Sequence, residues 1–145
     1  MANAAWKLKP GTTWRDKLEQ RHPKHGTVVD SRGKKLLIPR PLDVDAAVRQ
    51  VRKGRVMTIG DLRDRLAAGT GANSACPLCT GIFLRIVAET AEENLRAGRK
   101  RVAPWWRIVG EDGSLNPKLP GATKTQASRL RSEGVAMVRG HAEVK

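Results

Sequence analysis

Pro104-Trp105-Trp106-Arg107-Ile108-Val109 is the stretch on which the reading of this chain turns. Aromatic residues make up 3% of the sequence, with no Tyr, one Phe and four Trp, so tryptophan carries most of the aromatic surface and an adjacent pair is informative. Neighbours on a strand point to opposite faces, which lets one indole enter a core while the other faces a cleft. Glu111-Asp112-Gly113 supplies a turn before Leu115, and the segment from Val102 to Leu115 therefore reads as a short hairpin, or wing.

Upstream of this stretch the pattern is helical. Asp43 is placed to cap a helix with Val44, Ala47, Val48 and Val51 on its apolar face, and Gly54 supplies a stop. Thr58 caps a second helix, with Asp61 at the capping-box position and Leu62 and Leu66 one turn apart. After a loop from Gly69 to Asn73, a third helix runs from about Pro77, a residue suited to a first helical turn, to Ala97. Its apolar residues are Ile82, Phe83, Ile86, Val87 and Thr90, and its solvated face carries Arg85, Glu89, Glu92, Glu93 and Arg96. The succession reads as a helix-turn-helix, which presents the start of its last helix to DNA. Downstream lie a Pro-rich loop from Asn116 to Gly121, a helix from Thr123 to Glu133 closed by Gly134, and a strand from Val135 to Val138.

Residues 1–40 are rich in Lys, Arg, Pro, Gly and His. They contain a short helix capped by Thr13 and a hairpin from Thr27 to Ile38 that turns at Asp30-Ser31-Arg32-Gly33. The fold class is α+β: a winged helix-turn-helix domain over residues 41–145, preceded by a basic N-terminal arm over residues 1–40.

The 145 residues suit one domain with an extension. A formal net charge of +14 calls for a polyanionic partner. No apolar run approaches the ~20 residues of a spanning helix, and Met1 to Pro10 lack a signal-peptide pattern. The expectation is a cytoplasmic, nucleoid-associated monomer with DNA as partner and no membrane. Cys76 and Cys79 lie too close together to staple distant parts of a fold. A Cys-x-x-Cys at a helix start can be a redox site, and with His22 and His25 it would complete four zinc ligands. One such pair is a weak signal, and no metal or cofactor is expected.

Taken with Gly113, with Glu133-Gly134-Val135 and with Gly54-Arg55-Val56-Met57-Thr58, the Trp-Trp stretch resembles the C-terminal domain of methylguanine-DNA methyltransferases. It resembles their alkyltransferase-like relatives more closely, over about Pro41 to Val138. In the methyltransferases a Pro-Cys-His-Arg-Val motif holds the alkyl-accepting cysteine and its histidine, oriented by a glutamate on the last helix. The corresponding positions here are Trp105, Trp106 and, by counting back from Glu133-Gly134, Ala127. The resemblance thus implies DNA binding without alkyl transfer, because an indole has no thiolate to alkylate. Alkyltransferase-like proteins also carry tryptophan at the cysteine position and signal lesions to other repair factors. Trp106 departs from their usual histidine. The family's nucleotide-turning tyrosine falls at Ile59 and its arginine finger at Leu78.

The expected DNA-contacting residues are Pro77, Leu78, Thr80, Gly81, Arg85, Arg99, Lys100, Arg101 and Arg107. Pro104, Trp105 and Trp106 are expected to line a base pocket, with no catalytic residue. The function expected is non-enzymatic recognition of alkylated or extruded bases in DNA, serving DNA repair. Two alternatives stand beside it: a winged-helix regulator or nucleoid protein without lesion specificity, and a thiol-dependent or DNA-processing enzyme using Cys76 and Cys79, Glu89 or Asp112.

Overall fold

A computed structural model describes residues 8–144 and is mixed α and β. Of the N-terminal arm and the leader reading, residues 1–7 lie outside the described residues. Five α-helices occur among the described residues: α1 (Trp14–Glu19), α2 (Pro41–Val48), α3 (Ile59–Ala67), α4 (Pro77–Arg96) and α5 (Ala122–Ser132). The strands are short: β1 (Val28–Ser31), β2 (Lys34–Leu37), β3 (Met57–Thr58), β4 (Ser74–Ala75), β5 (Ile108–Val109), β6 (Met137–Val138) and β7 (His141–Ala142).

The axis of the molecule is α4, about 30 Å long at 1.5 Å per residue. Thr80, Leu84, Val87, Ala88 and Ala91 are buried along it, the spacing of a single helical stripe. Pro77 occupies the first turn, where its missing N–H is no loss. Cys76 caps that turn by accepting the Cys79 N–H on Sγ at 3.4 Å. Against the stripe pack α1, α2 and the Trp105 region, forming one core with Val44, Val48, Leu62, Met57 and Leu119. A smaller cluster of Val109, Leu130, Val135 and Ala142 lies beneath the C-terminal hairpin.

Local chemistry accounts for most helix ends. Thr13 and Asp16 close a full capping box on α1. Thr58 accepts the Asp61 N–H at 3.1 Å to start α3, while the Gly60 N–H donates to Glu111 from beyond β5 at 2.8 Å. Asp43 does not cap α2. The helix begins earlier, with Pro41 in its first turn and Arg40 at the cap position without a side-chain bond. Proline's pre-set φ fixes that start, and Asp43 sits within the first turn, where a carboxylate still complements the helix dipole.

The Trp-Trp stretch is not a hairpin. Trp105–Arg107 form a single 3-10 turn, closed by the Arg107 N–H on the Pro104 carbonyl at 3.1 Å. Ile108 and Val109 then pair in parallel with Met57 and Thr58. Residues on opposite sides of the long helix thereby share one small sheet. The final strand is shortened to Met137–Val138 and turns back through Arg139-Gly140 onto His141–Ala142. The N-terminal hairpin forms as expected and also docks: β2 pairs in parallel with β4, giving the sheet order β1-β2-β4.

One polar side chain deep in the core organises the return of the chain. Gln126 on α5 is 0% exposed and donates from Nε2 to the carbonyls of Trp106 (3.1 Å) and Ile108 (2.8 Å). Its Oε1 accepts the Asn116 N–H at 3.4 Å. Gln126→Leu keeps the volume but leaves buried carbonyls unpaired, so the variant is expected to lose roughly 2–3 kcal/mol in chemical denaturation.

Candidate nucleic-acid interface

The 3-10 turn is held from both sides by bidentate ion pairs. On one side Glu92 of α4 accepts the Trp105 indole N–H at 3.0 Å and both Arg129 terminal nitrogens at 2.6 and 2.8 Å. On the other, Arg107 donates to both Glu133 oxygens at 2.9 and 2.6 Å and to the Val51 carbonyl at 2.7 Å. The two indoles meet edge to face with centroids 5.9 Å apart. The Arg129 guanidinium lies 5.6 Å from the Trp105 ring centroid and 4.9 Å from that of Trp106, within the range of cation–π attraction.

Both acids are therefore held ionised. Burial would raise the Glu92 carboxyl, but the hydrogen bonds from Arg129 and Trp105, with the charges of Arg129 and Arg96, bring it below its ordinary 4.5. Burial opposes ionisation of Glu133 too, and the Arg107 hydrogen bonds outweigh it, aided by Trp106 and by the charges of Arg107 and Lys53. The Trp106 N–H is turned toward that carboxylate, near enough to favour its charge, yet it is buried without an aligned hydrogen bond.

This arrangement changes the roles expected of several residues. Trp105 is 0% exposed and Pro104 is buried, so neither offers a face to a base. Trp106 is half-buried, between Arg107 and Arg129. Arg107 is committed to Glu133 and is a fastener of the fold, not a phosphate contact. The acids beside the Trp pair are Glu92 at Trp105 and Glu133 at Trp106, whereas Ala127 lines a different surface cleft with Thr123 and Arg131. Counting back along α5 missed this because the chain reaches the site from the helix end, where Glu133 is the C-cap residue.

At the start of α4, Pro77, Leu78 and Gly81 are exposed, Leu78 to 72%. Thr80 is the exception: at 0% exposure it belongs to the core stripe and cannot reach a phosphate. Arg85, one turn further, pairs with Glu89 at 3.5 Å and lies over the Trp14 ring at 5.9 Å. Arg99, Lys100 and Arg101 are all exposed on the loop after α4.

A cleft of about 300 Å³ opens where the starts of α3 and α4 meet the chain after β5. Ile59, Gly81, Leu84, Val109 and Leu115 form its apolar walls, and Ser114 and Asn116 bring polar atoms. Neither tryptophan lines it. A Cβ built on Gly81 would meet nothing within 4 Å, so that wall is open.

The surroundings of Cys79 do not favour its thiolate. Burial, and then the neighbouring Cys76, push the Cys79 thiol up to about 11, the reverse of what nucleophilic or redox chemistry needs. Among the described residues no group of three or more His, Cys, Asp or Glu side chains is arranged to hold a metal ion.

The residues that sequence reasoning missed are Glu92, Gln126 and Arg129. Glu92 reads as part of a solvated helix face, and Gln126 and Arg129 are not singled out. Glu92 and Arg129 sit beside the buried residues of their helices, and no one-helix pattern distinguishes such a residue from an exposed one.

No family model matches the sequence, and no curated protein matches it. Among solved structures the chain is similar to S. pombe Atl1, determined in complex with damaged DNA containing O6-carboxymethylguanine. The likeness covers 72% of this chain and 87% of that one, at 20% identity and a TM-score of 0.50. The α+β class expected from the sequence is thus the one found, with a fold like that of Atl1.

Two outcomes test the fastening of the turn. Arg129→Met leaves Glu92 half-buried with one partner and is expected to cost roughly 3 kcal/mol, with altered tryptophan fluorescence as the cation leaves both rings. Because Glu92 and Glu133 titrate lower in the folded state, the unfolded chain takes up protons first as pH falls below about 4.5. Stability is therefore expected to be full above that pH and to decline below it, more shallowly in Glu92→Gln, as followed by denaturant midpoints across pH.

Proposed function

We propose that this protein binds DNA without catalysis and recognises a damaged or extruded base in the cleft between Ile59, Gly81 and Asn116. The observation that carries this reading is the position of the cleft: Gly81 is at once an exposed residue in the opening turns of α4 and a wall of the cleft. An α3–α4 unit docked as a helix-turn-helix sets the start of α4 against a groove, and a base swung out of the stack there enters the cleft directly. Extrusion costs least at a damaged or mispaired base, which favours lesions over intact duplex.

The basic residues supply the sequence-independent part. Arg99, Lys100 and Arg101 follow α4 in an exposed loop, and the net charge is +14. The Atl1 structure, with its damaged DNA, agrees in fold with this reading. Absence of alkyl transfer follows from the chemistry of the turn. Trp105 and Trp106 present no thiol or imidazole, and the raised Cys79 thiol offers little thiolate at neutral pH. Signalling to other repair factors and a place on the nucleoid are consistent extensions of the same proposal.

The test compares intact, alkylguanine-containing, abasic and single-stranded DNA. With ~5 phosphate contacts the log–log salt slope on duplex is expected near −4 to −5. Gly81→Leu places a side chain over the cleft and is expected to weaken lesion binding about tenfold more, or 1.4 kcal/mol, than it weakens binding of intact duplex. Equal binding of lesion and intact duplex by the parent protein would instead favour a regulator without lesion specificity. After incubation with methylguanine DNA the intact mass is expected to be unchanged, and a stoichiometric methyl adduct would overturn the non-catalytic reading.

A further inference from the structure

The hairpin β1–β2 is a ribbon without a core of its own. All four residues of β1 are exposed, and β2 is exposed until Leu36 and Leu37, where it meets β4. An isolated two-stranded ribbon is marginal in water, and this one is fixed at its base. The Lys35 N–H donates to Asn73 Oδ1 at 2.8 Å, the Asn73 N–H to the Lys35 carbonyl at 2.7 Å, and the Cys76 N–H to the Leu37 carbonyl at 2.8 Å. Cys76 is the cap of α4. The ribbon is therefore tied, through its own backbone, to the start of the helix that the proposed function sets against DNA.

The tip is cationic and its turn is strained. Arg32 and Gly33 both have positive φ, at 54° and 84°, the two-residue turn that suits Asn-Gly or Gly-Gly. An arginine there gives up conformational stability for a charge. Lys34 and Lys35 follow, both exposed, and as neighbours on a strand they project from opposite faces. The nearest acid, Asp30, is occupied in holding the turn through the Gly33 N–H at 2.9 Å. Since Leu37 is level with Ala75, the Arg32-Gly33 tip stands about 13 to 16 Å behind Ala75 along the ribbon, at 3.3 Å per strand residue.

We infer that the β1–β2 hairpin is a second DNA-contacting element, whose Arg32, Lys34 and Lys35 hold the sugar-phosphate backbone of duplex flanking the site gripped by α4. Cations on the end and both faces of a narrow ribbon suit contact with phosphates on either side of a groove. The wing-like element of this protein is then its N-terminal arm, and not the segment after α4. This inference rests on the proposed DNA-binding function.

The test uses the full chain and a duplex of about 30 base pairs bearing a central lesion, titrated across salt. The triple variant Arg32→Asn, Lys34→Gln, Lys35→Gln is expected to make the log–log slope shallower by about 2 to 3. Its preference for lesion over intact duplex is expected to be unchanged, because phosphate contacts carry no base information. Hydroxyl-radical protection is expected to shorten on one flank only. Arg32→Asn alone is expected to raise the melting temperature while weakening DNA binding, opposite signs that a purely structural turn would not give. A triple variant with the parent's slope, affinity and footprint would overturn the inference while leaving the proposed function intact. A parent protein with no salt-dependent binding would remove both.

Discussion

The structure depends on one carboxylate. Glu92 sits in the last third of α4 and is bonded at once to the Trp105 indole and to the Arg129 guanidinium. Three segments far apart in sequence meet there: the long helix, the 3-10 turn and the last helix. An acid in this position is costly to bury, and the cost is offset by three hydrogen bonds, from Trp105 and Arg129, on its two oxygens. The interaction is therefore all or nothing. It specifies a single arrangement of turn and helix where apolar packing alone would tolerate several.

From that constraint the rest follows in sequence order. With Trp105 fixed in the core, the turn can run only one way, and Ile108 and Val109 emerge beside Met57 and Thr58. That parallel pairing brings the chain after β5 over the starts of α3 and α4, where the cleft opens. Glu111 then reaches back to the Gly60 N–H, and Gln126 holds the turn's carbonyls from beneath. The cleft is thus a product of fastening elsewhere: its walls are apolar and few hydrogen bonds cross it.

The two arginine–glutamate pairs divide the basic residues of the chain into two populations. Arg107 and Arg129 are partly buried and each is paired with a glutamate. Arg32, Lys34, Lys35, Arg99, Lys100 and Arg101 are exposed. In composition all of them count alike, but the two internal pairs cancel, so the +14 excess stands on the remaining residues.

Local chemistry determined what the sequence by itself could show. Thr13 and Thr58 cap helices because their hydroxyls lie one turn from free amides, Pro77 opens α4 because it needs no N–H partner, and Arg32-Gly33 turns the hairpin. The Pro-Trp-Trp-Arg-Ile-Val stretch likewise carried its resemblance in contiguous residues. Tertiary structure alone decided that Trp105 and Thr80 are internal, that Arg107 is a fastener, that Glu133 and not Ala127 faces the Trp pair, and that the arm is stitched to α4 through Asn73 and Cys76. The reason is the same in each case. A hydrogen-bonded charge or an indole has no fixed side of the surface in sequence, and its placement is set by partners thirteen to fifty-six positions away.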